Sequence, residues 1–432
     1  MNLWVRKRFV PQGRRKSFRL SQVCMRVSCA LLPGTMLSVL RGVLVAILVV
    51  STACSDGAGI KIGLIADLTG YGAEYGILAR NGIYLALREI NTSSETDNRV
   101  QFVLADAGSD RKQALAAARK LIHDDVEVIV MATTSGEVSA VSALCERERV
   151  VLFSPTASSG RVTDAGDYVF RNRLSWTQEA SAIAQYAVTE LGIKTAGLAL
   201  IDDSAGRRYG TAFRTAFEGA GGRVVDTVWH APLARDYRSQ LQYLMNKREI
   251  EAVFVGSSHI ETGRLIRQAT EMGFRPKWLS IRPVESDWAV HIAGDSLLGV
   301  LYARETVDAT TGASEAFARK YHRRFGNAAQ LNYAVNAYDA AKLLSRLLRD
   351  GNTGPEIRDR LYRLQYSGLA GRLAFDSNGD ARKRILVEIR EFSKGEFHVV
   401  KPLFEALKLP VSESFQSAIF PTEPLIDNAE RR

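Results

Sequence analysis

The chain has 432 residues, of which 46% are hydrophobic and 24% charged, enough apolar material for two packed domains and too much for a disordered chain. Its net charge of +10 looks like a nucleic-acid signal until it is located: residues 1–53 hold nine Lys/Arg and no Asp or Glu, leaving 48 basic against 47 acidic residues from Cys54 onward. A basic groove and a nucleic-acid partner are therefore excluded.

The leader ends in GVLVAILVVSTAC, residues 42–54, preceded by Arg41 and followed by small residues. It is far shorter than the ~20 residues needed to span a bilayer, so residues 1–53 read as an export signal. Two processing readings are open, cleavage after the small residues Ser51–Ala53 or a lipoprotein-type site with Cys54 as the lipidated first residue of the mature chain. With Cys54 lipidated, Cys145 is the only cysteine left, so no disulfide framework exists and Cys145 is expected as a small buried hydrophobe inside a helix.

From residue 60 the sequence alternates apolar runs with helical patterns. IKIGLIADL (60–68), VQFVLAD (100–106), VEVIVMA (126–132) and VVLFSP (150–155) have the near-continuous Val/Ile/Leu content of parallel strands buried on both faces. The first helix carries Ile83, Leu87 and Ile90 on one stripe. A second cycle follows with TAGLALID (195–202), GRVVDTVWH (222–230), EAVFVGSS (251–258) and KWLSIRP (277–283). Two βα series of similar length predict an α/β protein of two doubly wound, Rossmann-like lobes. Long helices (SEAFARKYHRRF, YAVNAYDAAKLLSRLLRD) and a hairpin around DSNGD (376–380) come next, and regularity is expected to fade after about Lys401.

Several motifs argue against catalysis. LTGYGAEYG (68–76) sits between strand and helix, as a phosphate loop does, but its glycines fall at G-x-G-x-x-x-G and no lysine follows, so no nucleotide cofactor is implied. GDSLLG (294–299) is one residue too long for a nucleophile elbow, the six histidines form no H-x-x-x-H pair, and DSNGD lacks the spacing of a calcium loop. No enzyme, cofactor or metal is expected. Two Ser/Thr clusters do stand out, ATTSGEVSA (132–140) and SPTASSGR (154–161). Both follow strands at the carboxyl end of the sheet, where hydroxyls and helix N-terminal N–H groups suit a carboxylate, although N-capping alone accounts for such residues equally well.

Taken in order, IKIGLIADLTGYGAEYG with NGIYLALREIN, then ATTSGEVSA, SPTAS, YVFRNRLS, DDSAGRRYG, GSSHIETGRLIRQA and GRLAFDSNGD, the chain resembles the type 1 periplasmic solute-binding proteins, in particular the branched-chain amino acid binding proteins of ABC transporters. The resemblance runs from about Ile60 to Val400. It implies two lobes joined by a three-segment hinge: residues 60–174 with 305–381 as lobe 1, 175–304 with 382–402 as lobe 2, and 403–432 as a tail. It implies that the ligand carboxylate meets Ser135, Thr156 and Ser158, with Thr156 acting mainly through its main chain, and that Tyr75 and Tyr209 line the pocket. The partners implied are a small-molecule ligand, an ABC permease with its ATPase and, through Cys54, the membrane, with the protein monomeric.

The departures from the family pattern matter as much. The family holds the ligand ammonium with acidic groups, where this chain has Trp176 and Arg282, although Glu285 stands three residues beyond the latter. An indole and a guanidinium remove ammonium stabilisation and add stacking surface and an anion donor. A ligand that is an amide or an aromatic or dicarboxylic acid fits this better than a simple amino acid. A ligand-sensing module that regulates a partner protein is the alternative on the same fold.

Overall fold

The computed structural model describes residues 59–92, 99–309, 312–328 and 330–406. The leader, Cys54 and the tail beyond 406 lie outside the described residues. In chain order the first elements are β1 (Ile60–Ala66), α1 (Ala73–Thr92), β2 (Val100–Asp106), α2 (Arg111–His123), β3 (Val128–Ala132), α3 (Ser135–Glu148), β4 (Val151–Ser154) and β5 (Val169–Arg171). The five strands form one parallel sheet in the order β2-β1-β3-β4-β5.

The chain then builds α4 (Trp176–Thr189), β6 (Thr195–Ile201), α5 (Ser204–Gly219), β7 (Arg223–His230), α6 (Arg238–Met245), β8 (Ala252–Gly256), α7 (His259–Glu271), β9 (Lys277–Ser280), α8 (Asp287–Ala293) and β10 (Leu301–Glu305). These strands, with the later β14 (Ile385–Ser393) and β15 (Glu396–Ala406), make a seven-stranded sheet in which only β14 and β15 run antiparallel to their neighbours. Between β10 and β14 the chain returns to the first sheet with α9 (Gly312–Phe325), α10 (Leu331–Arg349), α11 (Gly354–Arg363) and the small strands β11 (Tyr366–Gly368), β12 (Gly371–Phe375) and β13 (Ala381–Arg382).

Each sheet is covered on both faces. On the first, Ile62, Val130, Val151 and Phe153 pack against Ile83 and Ile90 of α1 and Leu343, Leu344 and Leu347 of α10, while Ile65, Ile129 and Leu152 face α2 and α3. The second is sandwiched between α4 with α5 and α6 with α7. Truncating one of the fully buried α10 leucines to alanine costs about 2–5 kcal/mol. The fold is thus α/β with two doubly wound lobes, and the chain passes between them three times, at residues 172–175, after Glu305 and at 383–384.

Details differ from the sequence reading. The strand expected over 277–283 ends at Ser280, because Pro283 fixes its φ and lacks an N–H, and a 3₁₀ turn follows over Arg282–Glu285. The last strand continues to Ala406 rather than fading near Lys401. Cys145 is buried within α3, and burial pushes its thiol up to about 12. DSNGD is a tight turn closed by Gly379 N donating to Asp376 O at 3.0 Å, with Gly379 at φ +73. No helix among the described residues is long and apolar enough to cross a membrane.

Candidate functional site

The opening loop explains its own glycines. Gly70 has φ +80, and a Cβ on Gly76 would lie 2.0 Å from Asp67 O, so the glycines let α1 close down on the end of β1. Under this loop lies a buried carboxyl pair, Asp67 and Glu137, both 0% exposed. Asp67 Oδ1 accepts from Ser109 N at 2.8 Å, and Glu137 Oε2 accepts from Thr134 N at 3.0 Å and Thr134 Oγ1 at 2.9 Å, the capping box of α3. Their other oxygens, Asp67 Oδ2 and Glu137 Oε1, are buried without a donor among the described residues. Burial, and then the neighbouring Asp67, push Glu137 up to about 7.

The two Ser/Thr clusters come together. Ser135, the first residue of α3, accepts at Oγ from Ser158 N at 3.2 Å and Ser159 N at 3.1 Å, which leaves its O–H as a donor. Thr156 turns inward and donates through its hydroxyl to Thr133 O at 2.7 Å, tying the ends of β3 and β4, while its N–H is directed at Ser154 Oγ at 3.4 Å. The Ser158 carbonyl accepts from Trp176 N at 2.8 Å, which connects these hydroxyls to the start of α4. Arg171 stiffens the loop from below: it is 1% exposed, grips both carboxylate oxygens of Asp380 at 2.6 and 2.8 Å, and donates to Ser159 O at 2.7 Å.

The second lobe reaches the same loop. Tyr209 of α5 is 3% exposed and its hydroxyl accepts from Gly160 N at 3.2 Å. Arg161 pairs with Asp203 and Arg208 with Asp164, two further links between this loop and the start of α5. Trp176 opens α4 with its ring edge-on to His259, centroids 6.2 Å apart, and its indole N–H is buried without an acceptor among the described residues.

Tyr75 stacks on Tyr333 of α10, with centroids 4.9 Å apart, and Arg282 lies 5.2 and 5.4 Å from the two ring centroids. Arg282 was expected as a free anion donor. Instead each of its nitrogens is engaged: Nε with Glu285 at 2.6 Å, Nη2 with Gln330 at 2.6 Å, and Nη1 with the Tyr333 hydroxyl. Glu285 is equally occupied, its second oxygen accepting from Tyr302 and lying 3.4 Å from Arg304. Although burial pushes the Glu285 carboxyl up, these two arginines hold it below its ordinary value.

Sequence reasoning missed Tyr333 and the buried cluster beneath it. Arg173 is 0% exposed, and its guanidinium carbon lies 4.2 Å from the Tyr333 ring centroid. Its Nη1 is 3.4 Å from Glu305, and the Asn332 amide, turned with its oxygen toward it, accepts from Nη1 at 2.8 Å. Glu305 also accepts from Lys383 at 2.7 Å. Arg173, Glu305 and Lys383 thus lie at or beside the three passages between the lobes. Burial pushes Glu179 up to about 7, whereas Glu305, despite its burial, is held low by Lys383 and Arg173. A cavity of about 200 Å³ beside the second passage is lined by Arg304, Glu305, Thr306, His322, Asn332 and Glu388, among others.

The chain shares this architecture with known proteins. It is 25% identical over 331 residues to a leucine-, isoleucine-, valine-, threonine- and alanine-binding protein of Pseudomonas aeruginosa, covering 75% of this chain and 87% of that one. A leucine-binding protein from Thermotoga maritima superposes with a TM-score of 0.60 at 23% identity, over 79% of this chain and 97% of that one. An ABC transporter solute-binding protein from Rhodopseudomonas palustris, solved with 3,4-dihydroxybenzoic acid, gives 0.59 at 24% identity, over 82% and 99%. The periplasmic binding protein family model matches residues 59–385, and by that match the chain belongs to the periplasmic binding protein family.

Proposed function

We propose that the protein is an extracytoplasmic solute-binding protein of an ABC transporter, which captures a small carboxylate-bearing molecule between its lobes and delivers it to a permease and its ATPase without catalysing a reaction. The observation that carries this is the junction of Ser135, Ser158 and Trp176: a hydroxyl that has accepted two main-chain N–H groups and keeps its own proton to donate, linked through Ser158 to the first residue of α4. The P. aeruginosa relative, named for the amino acids it binds, supports the same role. On this reading lobe 1 is 60–174 with 305–381, lobe 2 is 175–304 with 382–406, and Ser135, Thr156, Ser158, Tyr75, Tyr209, Trp176 and Arg282 border the cleft. The protein works as a monomer, held to the membrane by lipid on Cys54.

The test is a thermal-shift panel of amino acids, aromatic acids and dicarboxylates. A ligand at one hundred times its Kd stabilises the folded form by ~2.7 kcal/mol, a readily measured rise in Tm. Ser135→Ala should remove that rise. A panel in which no acid or amino acid stabilises the protein would refute the proposal.

A further inference from the structure

Arg173 is a buried cation whose partners leave two of its nitrogens unpaired among the described residues. Arg171, two residues earlier and as deeply buried, makes four hydrogen bonds. Arg282 has all its nitrogens engaged, and Lys383 donates to Glu305 and Asn336. In Arg173, Nε and Nη2 have no hydrogen-bond acceptor among the described residues. The Glu179 carboxylate lies 4.0 Å from Nη2, and its Oε1 already accepts from Glu305 N at 3.0 Å. A guanidinium presents five N–H donors, and leaving buried charged donors unpaired is costly unless something else supplies the acceptor.

The surroundings say what that acceptor is. Arg173 packs on Tyr333, which stacks on Tyr75, and three residues after it Trp176 brings a second buried donor without an acceptor, tied through its own N–H to Ser158. Arg173 thus lies with the aromatic pair, and Trp176 next to the Ser158 end of the cradle. The carboxylates of this cluster are already engaged. Four cations with side chains at most 8% exposed, Arg173, Arg282, Arg304 and Lys383, face Glu179, Glu285, Glu305 and Glu388, and Glu388 is shared with Arg390. Glu179, at about 7, gives up part of its charge near neutral pH. An ammonium group entering here would meet cations and occupied carboxylates, whereas an anion would complete the set.

We propose that the ligand is a small dicarboxylic acid without an ammonium group, one carboxylate received by the Ser135 and Ser158 hydroxyls and the other by Arg173 with the Trp176 indole N–H. This rests on the solute-capture reading and narrows it.

The experiment is calorimetric titration of the purified protein with straight-chain diacids from malonate to adipate and with the three benzenedicarboxylates. Each is paired with the monoacid lacking one carboxylate, and glutarate is also paired with L-glutamate, which adds only the ammonium group. A charge-assisted pair lost from a desolvated site corresponds to about 10- to 100-fold in Kd, so one diacid should bind at least about tenfold tighter than its monoacid, and the amino diacid should bind more weakly. Arg173→Gln should abolish the preference for the diacid. Should that variant fail to fold, Trp176→Asp tests the same point, since an acidic residue is tolerated at a helix start and its carboxylate would compete for Arg173; diacid affinity should fall by about tenfold or more. Tightest binding of leucine or another zwitterion, or a diacid Kd unchanged in either variant, would overturn the proposal while leaving solute capture standing. If no acid and no amino acid binds, solute capture itself falls, and this inference with it.

Discussion

Replacing Glu137 by glutamine should stabilise the protein, and only at the alkaline end of its range. In the folded chain Glu137 is 0% exposed beside Asp67, and burial and that neighbour raise its pKa from 4.5 to about 7. A raised carboxyl favours the protonated form, so its contribution to stability is fully present below pH 4.5 and is lost as pH rises through 7. The gap corresponds to about 3 kcal/mol as a ceiling, shared with Asp67 because the pair titrates together. One proton between Asp67 Oδ2 and Glu137 Oε1 satisfies both orphaned oxygens, and above neutral pH that proton leaves. Glutamine reproduces the protonated state permanently: its oxygen keeps the capping bond from Thr134 N, and its amide donates to Asp67. Wild-type Tm should fall between pH 5 and 8, with Glu179 at about 7 and Asp339 at about 6 acting in the same direction. Glu137→Gln should flatten that slope and gain ~1–3 kcal/mol at pH 8, roughly 2–6 °C, with little gain at pH 5. Melting curves at fixed ionic strength across this range give the answer. A variant less stable than wild type at pH 8, or one whose difference is the same at pH 5 and pH 8, would refute the shared proton.

Other expectations follow from single contacts. Asp380→Ala leaves the buried Arg171 guanidinium without its two-pronged partner, so it should cost about 3–5 kcal/mol in urea unfolding and loosen the Ser159 loop; a loss under about 1 kcal/mol would mean that Arg171 is held otherwise. Tyr209→Phe keeps the ring and removes the acceptor for Gly160 N, a bond between lobes, so it should weaken capture of a bound acid by about 5- to 150-fold with dissociation accelerated, and unchanged off-rates would count against closure through this contact. Cys145, buried and with its thiol pushed up to about 12, should resist thiol reagents at pH 7.5 until the protein is unfolded; rapid modification of the native protein would show that α3 opens readily.

What the sequence made legible and what it hid divide along a physical line. The central strands were read to within a few residues at their ends because runs of Val, Ile and Leu buried on both faces announce themselves, and Val100–Asp106 was read over its full length from the same composition although it is an edge strand, largely half-buried or exposed rather than buried on both faces. Val169–Arg171 and Leu301–Glu305 went unread. Each ends in a charged residue, which a pattern search takes as exposed, yet Arg171 is paired with Asp380 and Glu305 with Lys383, partners about 80 to 210 residues away. The same blindness shaped the site. The position of Arg282 was evident from the family pattern, but that its donors are spent depends on Gln330 and Tyr333, which only the fold brings near. Arg173 lay within the quoted YVFRNRLS and was passed over for Trp176, since nothing local distinguishes a saturated buried arginine from an unsaturated one. The glycines of LTGYGAEYG, in contrast, stood out in the sequence, but their close approach to Asp67 is visible only in the fold.

The threefold passage of the chain between lobes also sets an order of events during synthesis. All five strands of the first sheet have been made by Arg171, but α10 and α11, which cover Ile62, Val130 and Phe153, are not made until residues 331–363, after five strands of the other sheet. Until then this apolar face is covered by α1 alone, and the first lobe cannot finish before most of the second has been made. A chain stopped before residue 331 should therefore be an aggregating fragment rather than a small folded domain, and a nascent chain would stay loose enough to be threaded through a narrow pore for most of its synthesis.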